Sequence, residues 1–183
     1  MRELSLNILD VAQNSIAAGA SLIEIVVQEN SEKCEMLIGI YDNGCGMSAE
    51  EAQNVTDPFF TTRTTRKVGM GIPLFKLAAE MTGGALRVES SKNAGTRITA
   101  EFKTDSVDFV PLGDICSTIL MLITMNTDRD FLYTRKIDGR EFTLDTRELK
   151  DILGDVPLNE PEVAQWIKGF IEEQTQIISG GVK

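Results

Sequence analysis

The chain opens on a helical rhythm. Leu4, Ile8, Val11, Ala12 and Ile16 recur at three- and four-residue spacing, which predicts a helix over 3–18. Gly19 fits its C-terminal stop. The period then changes. Residues 22–29 and 34–41 are β-rich runs joined by the polar stretch Asn30-Ser31-Glu32-Lys33, the pattern of a hairpin. Ser48 followed by Glu51 is a capping-box signature for a short helix after Met47. Residues 58–68 have no period and read as a loop. A helix is expected over 72–81, with Pro73 tolerated in its first turn and Gly83-Gly84 ending it. Residues 85–91 and 96–103 form a second hairpin around Lys92-Asn93-Ala94-Gly95. Helix, hairpin, loop, helix, hairpin is the order of a two-layer α/β sandwich, a mixed sheet covered by helices on one face.

The rest of the chain reads differently. Residues 112–125 are apolar nearly all round and predict a buried helix. Residues 131–136 and 141–144 flank Asp138-Gly139, a strong hairpin signal. Asp145 is placed to cap a helix through residue 153. Pro161 opens a last helix with Val163, Trp166, Ile167, Phe170 and Ile171 on one stripe, expected in a core or an interface. The division expected is 1–104, the sandwich, and 105–183, a small α+β C-terminal segment.

Composition sharpens the picture. With 183 residues, 42% hydrophobic and 25% charged, the chain suits a soluble globular protein with a real core. It contains no His, which removes Ser-His-Asp and Cys-His catalysis and His-ligated metal. A net charge of −10 argues against nucleic acid or an anionic membrane as partner. The longest apolar stretch, 115–125, is too short to span a bilayer. Cys34, Cys45 and Cys116 are odd in number and lack C-x-x-C spacing, and no signal-peptide core follows Arg2-Glu3. A cytoplasmic protein with reduced thiols is the expectation. The charge is uneven: residues 1–104 carry 10 basic and 13 acidic side chains, residues 105–183 carry 8 and 15. Within the milder half, residues 58–79 contain no acid but hold Arg63, Arg66, Lys67 and Lys76, a natural place for a polyphosphate.

Three groups carry candidate chemistry. Asn7, Asp10 and Asn14 share one face of the first helix; a carboxylate and a carboxamide one turn apart suit a hydrated Mg²⁺. Asp42-Asn43-Gly44-Cys45-Gly46-Met47 follows an apolar strand and offers a carboxylate among glycines that let backbone approach a ligand. Gly69-Met70-Gly71 opens a helix just after the basic island, the geometry in which free N–H groups meet phosphate. Taken singly, each also has an ordinary reading: a solvated helix face, a glycine-rich turn, an isolated G-x-G.

Together and in this order, the groups resemble the GHKL ATPases, the superfamily of gyrase, heat-shock chaperone, histidine kinase and mismatch-repair protein. The stretch from Leu9 to Ala20, LDVAQNSIAAGA, is similar to the family's N box. D-N-G-C-G-M at 42–47 is similar to the first glycine box, and Asp57-Pro58-Phe59-Phe60-Thr61-Thr62-Arg63 to the P-F-F-T-T-K stretch of nitrogen-regulatory histidine kinases. Gly69-Met70-Gly71-Ile72 matches the later glycine box. Gly83-Gly84 and Gly95-Thr96 match the elements that follow it. The resemblance covers roughly residues 3–103 and implies the Bergerat ATP-binding fold. It further implies that Asp42 binds the adenine amine with Thr96 supporting its water, and that Asn14 ligates Mg²⁺. Asp10 then sits where hydrolysing members carry a water-polarising glutamate. Gly44, Gly46, Gly69 and Gly71 would shape the backbone around ATP. Thr62, Arg63 and Lys67 are the lid candidates for phosphate, and Met47 and Phe59 complete the nucleotide-contacting set. The sequence departs from the family in having Asp10 rather than the longer glutamate, Ala17 for a common Asp, Lys67 for a glycine, and Pro73 after the glycine box.

The resemblance implies Mg-dependent binding and hydrolysis of ATP by a domain that regulates or drives a partner protein. A kinase acting in trans on a partner's Ser or His, and a non-catalytic ATP sensor, are the alternatives. The acidic segment 105–183 is the expected place for a protein partner or a second subunit.

Overall fold

The computed structural model describes residues 3–57 and 70–180. Its elements are, in order, α1 (Leu4–Ala17), β1 (Leu22–Asn30), β2 (Glu35–Asp42), α2 (Ala49–Asn54), α3 (Gly71–Met81), β3 (Ala85–Ser91) and β4 (Gly95–Lys103). These are followed by α4 (Ile115–Met125), β5 (Asp130–Ile137), β6 (Arg140–Asp145), α5 (Thr146–Leu153) and α6 (Pro161–Ile178).

The strands form one mixed sheet in the order β3-β4-β2-β1-β5-β6. All neighbours are antiparallel except β1 and β5, which run parallel with Ile23 opposite Phe131 and Val27 opposite Arg135. Alternation decides which face is covered. Ile23, Ile25 and Val27 of β1, Ile38 and Ile40 of β2, Ile98, Ala100 and Phe102 of β4, and Phe131 and Tyr133 of β5 all point to the helix layer and are buried. From α1 come Leu4, Ile8, Val11 and Ala12, at the spacing that made this helix legible, and from α3 come Ile72, Phe75 and Ala79. Phe75 meets Phe102 with ring centroids 5.8 Å apart. Each fully buried Val, Leu, Ile or Phe among these contributes roughly 1.5–3 kcal/mol before entropy is counted.

Residues beyond 104 complete this sheet instead of standing beside it. β5 lies against β1, so β1 becomes an interior strand, and α4 packs on α1. The helix expected over 112–125 begins only at Ile115, where the Asp114 carboxylate caps it by accepting from the Ser117 N–H at 2.9 Å. Nor is it apolar-packed all round: Met121 and Met125 are exposed. The Ser48–Glu51 capping box is present with both reciprocal bonds. Asp138 and Gly139 take the positive φ values, 49° and 81°, of a tight two-residue hairpin turn. Trp166 is 54% exposed, so the stripe it shares with Ile167 and Ile171 is only partly core.

Candidate functional site

The polar groups of the first helix and the first glycine-rich turn converge. Asp42 ends β2 on the helix-covered face, directly opposite Thr96 of β4. One carboxylate oxygen accepts from the Ser15 hydroxyl of α1 at 2.6 Å, the other from the Gly44 N–H at 2.9 Å. The side chain is therefore fixed in rotation, half-buried, with lone pairs to spare on both oxygens. Thr96 is itself buried, with its hydroxyl 2.9 Å from that of Ser90, the residue opposite it on β3. Ser90 Oγ also donates to the Gly95 carbonyl and accepts from the Met47 N–H at 2.8 Å. A row of hydroxyl and carboxylate thus crosses three strands and ties down the turn that carries Met47.

Backbone shape explains the glycines. Gly46 has φ +63°, and a Cβ there would collide with the Ser91 carbonyl. Gly95 has φ +85°, and a Cβ would collide with the carbonyl of Asp42. Both positions exclude larger residues through sterics and the left-handed backbone. Gly44 is closed in by Ala18, whose carbonyl oxygen would stand 2.9 Å from an added Cβ. The turn is pinned at Cys45, whose N–H donates to Ala18 and whose carbonyl accepts from Asn93. Asn43 points away from this space. Its Oδ1 accepts from the N–H groups of Ser21 and Leu22 at 2.9 and 3.0 Å, and its Nδ2 donates to Ser21 Oγ.

A second cluster lies where α1 meets the start of α3. A Cβ on Gly71 would stand 3.0 Å from Asp10 Cβ and 3.9 Å from Asn14 Nδ2. No side chain caps the N-terminus of α3, which begins at Gly71. Its free amide groups and positive dipole end therefore adjoin a carboxylate and a carboxamide, one turn apart on α1. Asp10 remains solvent-accessible, yet desolvation by its surroundings raises its carboxyl above the usual value. The donor set fits Mg²⁺, which takes one or two protein oxygens and fills its octahedron with phosphate oxygens and water. Among the described residues no group of three or more acidic or Cys side chains offers a dedicated metal cage. Asn7, expected on the same polar face, is instead 2% exposed with its Nδ2 unpartnered.

Asp10, Asn14 and Gly71 thus gather where α1 meets α3, and Asp42, Gly44, Gly46, Met47 and Thr96 gather at the end of β2 and the turn after it, with Ser15, the residue after Asn14, tying the second group to α1. Phe59, Thr62, Arg63, Lys67 and Gly69 lie outside the described residues. Two contributors escaped the sequence reading. Ser15 follows Leu4, Ile8 and Val11 on the buried stripe of α1, and a serine there needs a partner. Ser90 sits on a strand whose alternation points it to the covered face. No described helix is long and apolar enough to cross a membrane.

Residues 1–106 match the family described as histidine kinase-, DNA gyrase B-, and HSP90-like ATPase. The signal transduction histidine-protein kinase AtoS of Escherichia coli is 32% identical over 99 residues, which is 54% of this chain and 16% of AtoS. Sporulation kinase D of Bacillus subtilis is 28% identical over 92 residues, covering 50% of this chain and 18% of that kinase. The chain therefore spans less than a fifth of either relative. Among solved structures, the N-terminal domain of a DNA repair protein aligns with a TM-score of 0.57 and 15% identity, covering 79% of this chain and 53% of that one. That likeness is one of fold, and its share of the chain exceeds what residues 1–106 alone supply. Matched through more than half its length, the chain belongs to the histidine kinase-, DNA gyrase B- and HSP90-like ATPases, and its sheet-and-helix cleft is that family's ATP-binding fold.

Proposed function

We propose that this chain binds ATP with Mg²⁺ in the cleft between α1, α3 and the sheet, hydrolyses it, and uses the nucleotide state to regulate or drive a partner protein. The observation that carries the reading is the Asp42 carboxylate, held by Ser15 and Gly44 beside Thr96 while the start of α3 faces Asp10 and Asn14. Asp42 accepts the exocyclic amine of adenine, and Thr96, steadied by Ser90, holds the water next to it. Asn14 is the oxygen donor that would hold Mg²⁺, which when bound would screen the phosphate charges. The α3 amides take phosphate oxygens. Asp10 accepts a proton from the attacking water; its raised pKa moves it toward the range in which a carboxylate serves as a base. Thr62, Arg63 and Lys67 are the proposed phosphate contacts of its lid. The acidic segment 105–183 is the proposed partner surface.

The sequence holds no His. A γ-phosphoryl group leaving the site therefore goes to no imidazole of this sequence, and hydrolysis and transfer to a partner protein are the two fates to separate. Phosphate release from γ-labelled Mg-ATP, measured alone and with cell extract, separates the two. Asp10→Asn is expected to retain ATP in calorimetry and lose release. Wild-type release by that variant would sink the hydrolytic role of Asp10. Label moving to a protein of the extract would mark a kinase acting in trans, and binding without any turnover in either condition would mark a sensor.

A further inference from the structure

Among the described residues, three buried side-chain polar atoms have no hydrogen-bond partner: Asn7 Nδ2, Tyr133 Oη and Arg135 Nε. The last two belong to side chains held in other ways. Arg135 donates through its other nitrogens to the Glu29 carboxylate and the Val27 carbonyl, and the Tyr133 ring packs edge-on against Phe142 at 5.9 Å. Asn7 has no such support. It is 2% exposed, and its side chain makes no hydrogen bond to any described residue. A buried amide donor without an acceptor costs stability, and an apolar side chain at this place on α1 would not. The chain thus keeps a polar group where an apolar one would hold the fold better.

Its place on the helix says what the donor could serve. Asn7 and Asp10 are three residues apart on α1, a spacing that puts their Cβ atoms about 5–6 Å apart, within reach of an amide-to-carboxylate hydrogen bond. The start of α3 lies against the same face, where a Cβ on Gly71 would stand 3.0 Å from Asp10 Cβ. The Asp10 carboxylate is solvent-accessible and makes no hydrogen bond or ion pair with any described residue. Asp42 is treated otherwise: Ser15 holds one of its oxygens at 2.6 Å and the Gly44 N–H the other at 2.9 Å. One carboxylate of the site has two donors and the other has none, while a spare donor lies buried one turn away from the second.

We propose that Asn7 is a positioning residue for Asp10. With nucleotide in the cleft, Asn7 Nδ2 donates to one oxygen of the Asp10 carboxylate and leaves the other to take the proton of the attacking water. This rests on the hydrolytic reading of the site. In the step it serves, the water oxygen bonds to the γ-phosphorus and the bond from that phosphorus to the bridging oxygen breaks. ADP leaves with the electron pair, and the water proton passes to Asp10. A carboxylate free to rotate meets the water in the right direction only part of the time, whereas one held by a fixed donor meets it in one direction. Burial makes the donor effective, because no bulk water competes with Asp10 for the Asn7 amide. An aspartate has only two side-chain torsions, so a single donor is enough to fix it.

The test is Asn7→Ala in the full chain, which removes the donor and leaves a strong helix former in its place. Three quantities are read together: kcat for phosphate release from γ-labelled Mg-ATP, ATP affinity by calorimetry, and melting temperature without nucleotide. The variant is expected to lose at least about tenfold in kcat, the worth of a hydrogen bond to a charged group, with ATP affinity unchanged and a melting temperature no lower than the wild type's. Added to Asp10→Asn, Asn7→Ala should slow the residual release no further, since the carboxylate it orients is gone. A wild-type kcat in Asn7→Ala overturns the proposal. So does a variant that fails to fold, melts lower or binds ATP more weakly, because Asn7 would then be holding the helix in place. A further loss in the Asp10→Asn background overturns it too. A wild type that binds ATP but releases no phosphate, alone or with cell extract, ends the hydrolytic reading and this inference together. Equal turnover by wild type and Asn7→Ala ends the inference alone.

Discussion

The hydroxyl of Ser15 does more for the site than its size suggests. It is the second hand on Asp42, and without it the carboxylate is held only by the Gly44 amide. Ser15→Ala should weaken ATP about tenfold, and Asp42→Ala by roughly 10- to 150-fold, the worth of charge-assisted bonds. Titration calorimetry checks both. Asp10 makes a different prediction. Its folded pKa is raised, so the ionised form is the one the fold disfavours. Below the unfolded value both states are protonated and Asp10 is neutral for stability. As pH rises through the unfolded value toward the folded one, stability is lost. Asp10→Asn should therefore melt no lower than the wild type at neutral pH, with the difference vanishing in acid. A variant that melts lower at neutral pH would contradict the burial argument. At this scale the motifs were legible because glycine, Asp and Asn have few reasons to recur in such an order. Asn7 was not: periodicity put it beside Asp10, but helix packing rather than spacing decides which part of a polar stripe is covered.

At the scale of elements, local chemistry set most boundaries. The capping box of α2, the Asp138-Gly139 turn and the Asp145 cap of α5 are all present where short-range rules put them. The start of α4 was misplaced because apolar composition carries no end signal; Asp114 supplies it through two bonds to Ser117. Those bonds hold the Asp114 carboxyl below its usual range. Its stabilisation is present above the unfolded pKa and is lost as pH falls through the folded one. Asp114→Ala should cost about 1 kcal/mol in urea unfolding at neutral pH, and nothing once acid has protonated the wild type. In the glycine-rich turn the barrier is steric. Gly95→Ala would push its Cβ into the Asp42 carbonyl, so it should reduce both melting temperature and ATP affinity, whereas Gly139→Ala, at an equally positive φ with open space around it, should reduce melting temperature alone.

The whole molecule departs most from what the chain suggests when read locally. The change in charge near residue 104 is a surface property, and it says nothing of where the sheet continues. β1 and β5 pair in parallel across more than a hundred residues, and such a contact leaves only an alternation that any half-buried strand would show. A chain cut after residue 104 would expose the paired edge of β1 and the part of α1 that α4 covers. It should aggregate or melt well below the full chain in calorimetry; an equally stable fragment would show that the sheet folds as two independent halves.

The Asn43 latch makes the junction mechanical. Its side chain grips the N–H groups of Ser21 and Leu22, while the Ser21 carbonyl accepts from the Asp130 N–H, and the Asp130 carboxylate takes the ammonium of Lys150 on α5. One residue away, the Phe131 N–H donates to Thr146. The turn that would cradle adenine is thus the first link of a tether ending in the acidic half of the chain. Tension in that turn has a short, hydrogen-bonded route to β5 and α5 and no slack loop to absorb it. Whatever quiets the turn should slow deuterium uptake at the amides of Asp130 and Phe131, far from any nucleotide, and Asn43→Ala should silence that echo while leaving Asp42 in place.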